Sequence, residues 1–310
     1  MEDFKMKLAP IVIFTYNRPI HTRETIDALL KNQYADESDL IFYSDAPKNE
    51  DAKKGVLDTR QYIHSITGFK SIRVIEREKN FGLANNIIDG VTSVVNEFGK
   101  IIVLEDDLLL SPYFLKFMNE ALSKYEDNSS VVSVHGFFYP IKENVPENFF
   151  LKHTDSLGWG TWKSAWETFN PDGVNLLNNL KTQHLINDFN FNSSYNFIKM
   201  LKKQISGQNN SWAIRWYASA FLAGKLSLFP NKSLVFHNGN DYLGTNCDNS
   251  EDWLDVELSD KEIQLIDIPV QENLEVRAVY ERFFRTIKGS FWNRLKKKIK
   301  SIYGKIKKNH

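Results

Sequence analysis

Two uninterrupted apolar runs, Ile11-Val12-Ile13-Phe14 and Ile101-Ile102-Val103-Leu104, constrain this chain more than any other feature. Short runs rich in Ile and Val, with no polar alternation, read as strands covered on both faces, the condition of a parallel sheet between helical layers. Strands are expected at Ile11–Tyr16, Leu40–Ser44, Ile72–Glu76, Ile101–Leu104 and Val131–His135. Helical periodicity fills the gaps at Thr22–Asn32, Asp51–Ser65, Leu83–Phe98 and Pro112–Tyr125. The alternation predicts a doubly wound α/β fold. With 310 residues, 42% hydrophobic, the chain can bury the core such a fold needs.

The second half is less regular. Ser156–Phe169, Ser193–Gln204 and Ser211–Ala223 read as helices, followed by short strands near Leu226–Phe229 and Leu234–Phe236. Asn170–Asn179 and His237–Asn249, rich in Asn and Gly, read as loops. Trp159, Trp162 and Trp166 fall at i, i+3 and i+7, one face of the expected helix. For Trp166 that spacing means core packing, whereas Trp159 lies between two glycines and is open to a ligand.

In open α/β sheets, ligands bind beyond the carboxyl ends of the strands. Three such ends are polar here: Thr15-Tyr16-Asn17-Arg18-Pro19, Ser44-Asp45-Ala46-Pro47 and Glu105-Asp106-Asp107. Three consecutive carboxylates repel one another unless a cation or hydrogen-bond donors compensate. Capping the helix expected after Ser111 accounts for one of them, hardly three. A hard divalent ion such as Mn²⁺ or Mg²⁺ takes oxygen ligands, often one carboxylate plus substrate phosphates, and can neutralise a diphosphate leaving group.

The segments TYNRP, YSDAP, VLEDDLLLSPYFLKFMNEAL and GWGTWKSAW, in that order, resemble the GT-A glycosyltransferases, most closely the N-acetylglucosaminyltransferase I group and its bacterial relatives. The resemblance runs from Pro10 to Cys247. It implies a Rossmann-like, mixed but mostly parallel sheet flanked by helices. It also implies a UDP-sugar donor, UDP-N-acetylglucosamine by analogy, and transfer with inversion to a glycan or lipid-linked acceptor. Arg18 and Asp45 match the residues at the nucleobase end of UDP, with Thr15 and Asn17 in the same nucleotide-binding turn. Asp107 matches the ligand of a bridging Mn²⁺ or Mg²⁺, Asp106 would face the ribose or sugar, and Glu105 would support the site. Gly158, Trp159 and Gly160 match the segment lining the donor-sugar pocket. His237 to Cys247 resembles the lid that orders over a bound donor, with His237 near the metal or diphosphate. Asn80 to Asn86 resembles the polar turn before a helix in many sugar transferases, though helix entry explains it equally well.

One departure matters. The family's general base is an Asp in a Trp-flanked segment, and the matching stretch here, Asn210-Ser211-Trp212-Ala213-Ile214-Arg215-Trp216, has no carboxylate. Inverting transfer needs a base for the acceptor's proton, leaving Asp155, Glu167 and Asp241 as candidates. A sugar-phosphate nucleotidyltransferase would share the fold, but it is expected to carry a glycine-rich, basic loop after the first strand, which TYNRP is not. A non-catalytic nucleotide- or glycan-binding protein is the other reading.

Charge separates the chain's end from its body. Of 39 basic residues, eleven lie from Arg282 onward with no acid among them, leaving 28 basic against 39 acidic elsewhere. An acidic body argues against nucleic acid as a partner. Trp292, Leu295, Ile299, Ile302 and Ile306 recur at helical spacing among Lys and Arg. That is the pattern of an interfacial amphipathic helix on an anionic membrane surface. The expected organisation is a catalytic unit over 1–283, with a nucleotide-binding half at 1–130 and a donor-sugar and acceptor half at 131–283, followed by a basic tail at 284–310. A single cysteine, Cys247, and no apolar leader or spanning segment predict a cytoplasmic protein attached peripherally to the inner face of the plasma membrane.

Overall fold

The computed structural model describes residues 6–239 and 254–287. The first half alternates as its apolar pattern predicts: β1 (Ile11–Thr15), α1 (Pro19–Leu29), β2 (Asp39–Ser44), α2 (Glu50–Ile63), β3 (Ser71–Glu76), α3 (Leu83–Phe98) and β4 (Lys100–Glu105). Local chemistry sets the helix ends. Pro19 opens α1 three residues earlier than periodicity suggests, because its fixed φ and missing N–H suit a first turn. The Asn49 side chain caps α2 by accepting from the Ala52 amide. Gly99, at φ +88°, closes α3 in a left-handed conformation.

These strands join one eight-stranded sheet in the order β3-β2-β1-β4-β8-β6-β9-β7. It is completed by β6 (Val131–His135), β7 (Asn148–Leu151), β8 (Trp159–Trp162) and β9 (Leu226–Pro230). β3, β2, β1 and β4 run parallel, whereas β8 lies antiparallel between β4 and β6. β5 (Leu108–Leu110) and β10 (Val235–His237) form a separate antiparallel pair, with His237 opposite Leu108. α4 (Phe114–Lys124), α5 (Lys163–Trp166), α6 (Gly173–Thr182), α7 (Ile186–Phe189), α8 (Phe197–Ile205) and α9 (Trp212–Leu222) complete the named elements. The result is a mixed α/β fold with a mainly parallel central sheet flanked by helices, as expected.

Two local expectations fail. The helix expected at Ser156–Phe169 is β8 followed by the single turn α5. Trp159 and Thr161 pair with Val103 and Ile101 of β4, and strand pairing on both sides outweighs a helical spacing of three tryptophans. Gly160 permits the fit, since a Cβ there would stand 2.9 Å from the Ile101 carbonyl oxygen. The loop expected at Asn170–Asn179 is largely α6, capped by the Asp172 carboxylate on the Val174 and Asn175 amides and held by buried Leu176, Leu177 and Leu180. Residues 274–287 are also helical, across the expected boundary at 284, and Phe284 is buried against Tyr280 and Phe191.

Candidate active site at the carboxyl edge of the sheet

The strand order sets β4 beside β1, so the turns after β1 and β4 meet at the carboxyl edge of the sheet, where open α/β sheets bind ligands. Both polar turns singled out above flank it. The Tyr16 amide donates to Asp106 Oδ2 at 3.1 Å, tying the β1 turn to the acidic triplet. Thr25 of α1 donates to the Asp106 carbonyl at 3.0 Å and accepts from the Leu108 amide at 3.2 Å, which fixes the backbone through the triplet. The Thr15 hydroxyl is buried in this turn without a hydrogen-bond partner among the described residues.

Asp107 is the focus. Its Oδ2 meets Arg18 Nη1 at 2.5 Å and His237 Nε2 at 3.3 Å, and all three side chains are largely buried. The pairing of β10 with β5 delivers His237, and the Asn238 amide donates to the Asp107 carbonyl at 2.8 Å. Gly239 is required by proximity: a Cβ there would lie 2.4 Å from Asp107 Oδ2 and 2.7 Å from His237 Nε2. The three carboxyls therefore titrate differently. Burial, aggravated by Asp107 and Asp106, pushes Glu105 up to about 8. Burial and the Asp107 charge push Asp106 up to about 7. Burial also opposes ionisation of Asp107, but His237 and Arg18 outweigh it and hold that carboxyl below its usual range.

Among the described residues no three His, Cys, Asp or Glu side chains gather as a complete metal cage. Asp107 and His237 provide two donors, one a charged carboxylate, which fits an ion that takes its remaining ligands from a diphosphate and water. Arg18 lies at this acidic end of the site. Asp45 is buried and saturated: Oδ1 accepts from the Ala46 and Phe81 amides, Oδ2 from the Gly82 amide and Asn80 Nδ2. With four donors on its four lone-pair directions, Asp45 frames the Asn80–Gly82 turn and offers little to a nucleobase directly. Sequence reading had found both segments but not their link.

The donor-sugar and base candidates divide. Trp159 is wholly buried and stacked on Trp212 at 5.2 Å, with Trp166 and Trp216 beside it, so its ring serves the core and has no free face for a sugar. Gly158, at φ +60°, has no room for a Cβ beside Val235 Cγ2 at 2.6 Å, and Gly160 is equally confined. Glu167 is excluded as a base by topology. β8 runs antiparallel to β4, Trp162 pairs with Lys100, and the Lys163 amide donates to Gly99, so Glu167 lies near the opposite edge, roughly 20 Å of strand away. There it lines a shallow cavity of about 190 Å³ with Thr92, Asn96, Lys163 and Trp166. Asp241 and most of the expected lid, to Cys247, lie outside the described residues. Asp155 lies just before β8, on the carboxyl-edge side. Sequence reading missed Tyr139, whose hydroxyl donates to Asp155 Oδ2 at 2.9 Å; the aromatic run Phe137-Phe138-Tyr139 after β6 was the available signal.

Known proteins bear on this geometry. Among solved structures the chain is similar to the mannosyltransferase PcManGT from Pyrobaculum calidifontis in complex with GDP-Man and Mn²⁺, at 14% identity over 43% of this chain and 37% of that one, TM-score 0.31. It is also similar to S. aureus TarS 1–349, at 11% identity over 75% and 62%, TM-score 0.42. GalNAc-T7 with UDP, GalNAc and Mn²⁺ aligns at 10% identity over 73% and 43%, TM-score 0.44. The chain thus spans less than two thirds of each of these proteins, and likenesses of this size carry no argument about donor or acceptor. No curated protein matches it. Residues 11–201, more than half of the chain, match the profile of glycosyl transferase family 2. The chain therefore belongs to glycosyl transferase family 2.

Proposed function

We propose that this chain is a glycosyltransferase that moves a sugar from a UDP-sugar to a glycan or lipid-linked acceptor, with inversion, using Mn²⁺ or Mg²⁺. The observation that carries the reading is the Asp107–His237 pair, 3.3 Å apart beside Arg18 at the carboxyl edge of the sheet. Asp107 and His237 would hold the ion. When bound, a divalent ion supplies charge neutralisation for the departing diphosphate. His237 and Arg18 keep the Asp107 carboxylate ionised, and the Tyr16 amide fixes the orientation of one Asp106 oxygen. The choice of uridine, and of N-acetylglucosamine as first donor to try, rests on the resemblance of the TYNRP, YSDAP and acidic segments.

No helix among the described residues is long and apolar enough to cross a membrane. In this reading the basic segment after Arg285, mostly outside the described residues, holds the enzyme on the cytoplasmic face of an anionic membrane near a lipid-linked acceptor. A panel of sugar nucleotides tests the function, by thermal shift with and without Mn²⁺ and by release of free nucleoside diphosphate. The expected result is a Mn²⁺-dependent shift and turnover with one UDP-sugar. Preference for a GDP- or CMP-sugar, or turnover unaffected by chelator, would overturn the donor or the metal assignment.

A further inference from the structure

An acceptor hydroxyl that displaces a nucleoside diphosphate must lose its proton, and the segment opening α9 supplies no carboxylate for it. The acidic triplet is engaged around the proposed ion site, Asp45 is saturated, and Glu167 belongs to the other edge. We propose that Asp155 is the general base, an assignment that rests on the glycosyl-transfer reading above.

Three features of Asp155 fit the role. The first is position. It precedes Gly158 by three residues, about 10 Å of chain at most, and Gly158 accepts from the Gly136 amide at 2.8 Å where β8 and β6 meet the carboxyl edge. The second is orientation. Oδ1 accepts from the Ser156 and Leu157 amides at 2.7 and 3.2 Å, while among the described residues the one donor to Oδ2 is the Tyr139 hydroxyl at 2.9 Å, which leaves that oxygen a lone pair for an incoming proton. Tyr139 is itself locked: its ring lies 5.5, 5.4 and 5.5 Å from those of Tyr280, Phe283 and Phe284. The third is environment. Asp155 is only partly covered. Burial nonetheless raises its carboxyl pKa, against the opposing Tyr139, Ser156 and Leu157 hydrogen bonds, which makes the carboxylate a better proton acceptor.

The step balances. The acceptor oxygen forms a bond to the anomeric carbon as the bond from that carbon to the β-phosphate oxygen breaks. The electron pair leaves on UDP, and the acceptor's proton passes to Asp155 Oδ2, from which water later removes it.

The test compares wild type with Asp155→Asn, Asp155→Glu and Tyr139→Phe, using UDP-sugars, Mn²⁺ and water as acceptor, and measuring UDP release and UDP affinity across pH. Asp155→Asn should lower kcat about 100- to 10,000-fold, with UDP affinity held within about threefold and the acidic limb of the pH profile gone. Asp155→Glu should recover part of the rate. Tyr139→Phe removes a hydrogen bond to the charged carboxylate, so its acidic limb should move to higher pH. Normal turnover by Asp155→Asn in an otherwise active enzyme, or an unmoved limb in Tyr139→Phe, overturns the assignment. A wild type that releases UDP from no donor overturns instead the transfer reading beneath it.

Discussion

Asp107 and His237 stand 3.3 Å apart, although one follows β4 and the other ends β10. The antiparallel pairing of β10 with β5 creates this contact, and Gly239 keeps it clear by having no side chain. In the proposed function this carboxylate and imidazole supply two ligands of the divalent ion. Asp107→Ala should therefore reduce turnover on the order of 1,000-fold while the far-ultraviolet spectrum stays unchanged. Titration with Mn²⁺ in the presence of UDP checks it. Metal-dependent turnover at the wild-type level in that variant would exclude Asp107 as a ligand.

Arg18 shares Asp107 Oδ2 with His237, so it competes with any cation approaching that oxygen. Arg18→Ala should raise Mn²⁺ affinity in the absence of nucleotide and weaken UDP binding by about tenfold or more, the usual scale for a charge-assisted contact. Calorimetry with Mn²⁺ alone, UDP alone and both together resolves the two effects. Unchanged affinities in all three would make the ion pair merely structural.

Protonation gives the apoprotein a pH-dependent stability. In the folded chain Glu105 titrates near 8 and Asp106 near 7, above their ordinary values of 4.5 and 3.8. The native state therefore retains protons that the unfolded chain has shed, and this contribution, complete at acid pH, is lost as pH rises through about 8. His153 acts oppositely: burial in its aromatic cage lowers it from 6.5 to about 3, so its contribution is present above 6.5 and lost as pH falls toward 3. Above pH 6.5 the His153 contribution is complete and that of Glu105 and Asp106 is being lost, so urea midpoints in chelator should fall between pH 6.5 and 8.5. Mn²⁺ should release protons and flatten that slope. A midpoint rising over this window without metal would contradict the burial of Glu105 and Asp106.

The proposed membrane attachment should be separable from the site. Removing residues 286–310 should leave an enzyme that retains turnover of soluble donor but sediments poorly with anionic vesicles. Full-length protein should bind those vesicles in a salt-sensitive manner. Equal sedimentation of both proteins, with anionic and neutral lipid alike, would remove the tail from the account.

The sequence by itself determined the repeating strand and helix pattern through β4, the polar turns at strand ends and the acidic triplet. Each depends on residues within a few positions of one another: apolar runs that must be covered on both faces, a capping Asn49, carboxylates too close to ionise together. Tertiary structure decided everything that needs distant partners. It made Trp159–Trp162 a strand by inserting it between β4 and β6, and so carried Glu167 to the far edge and closed Trp159 into the core. It brought the Asn80–Gly82 amides onto Asp45, filling the lone pairs that sequence reading had reserved for a nucleobase. It also set His237 on Asp107 and Tyr139 on Asp155. Strand pairing and hydrogen-bond saturation join residues far apart in the chain, so neither leaves a periodic trace in the local sequence.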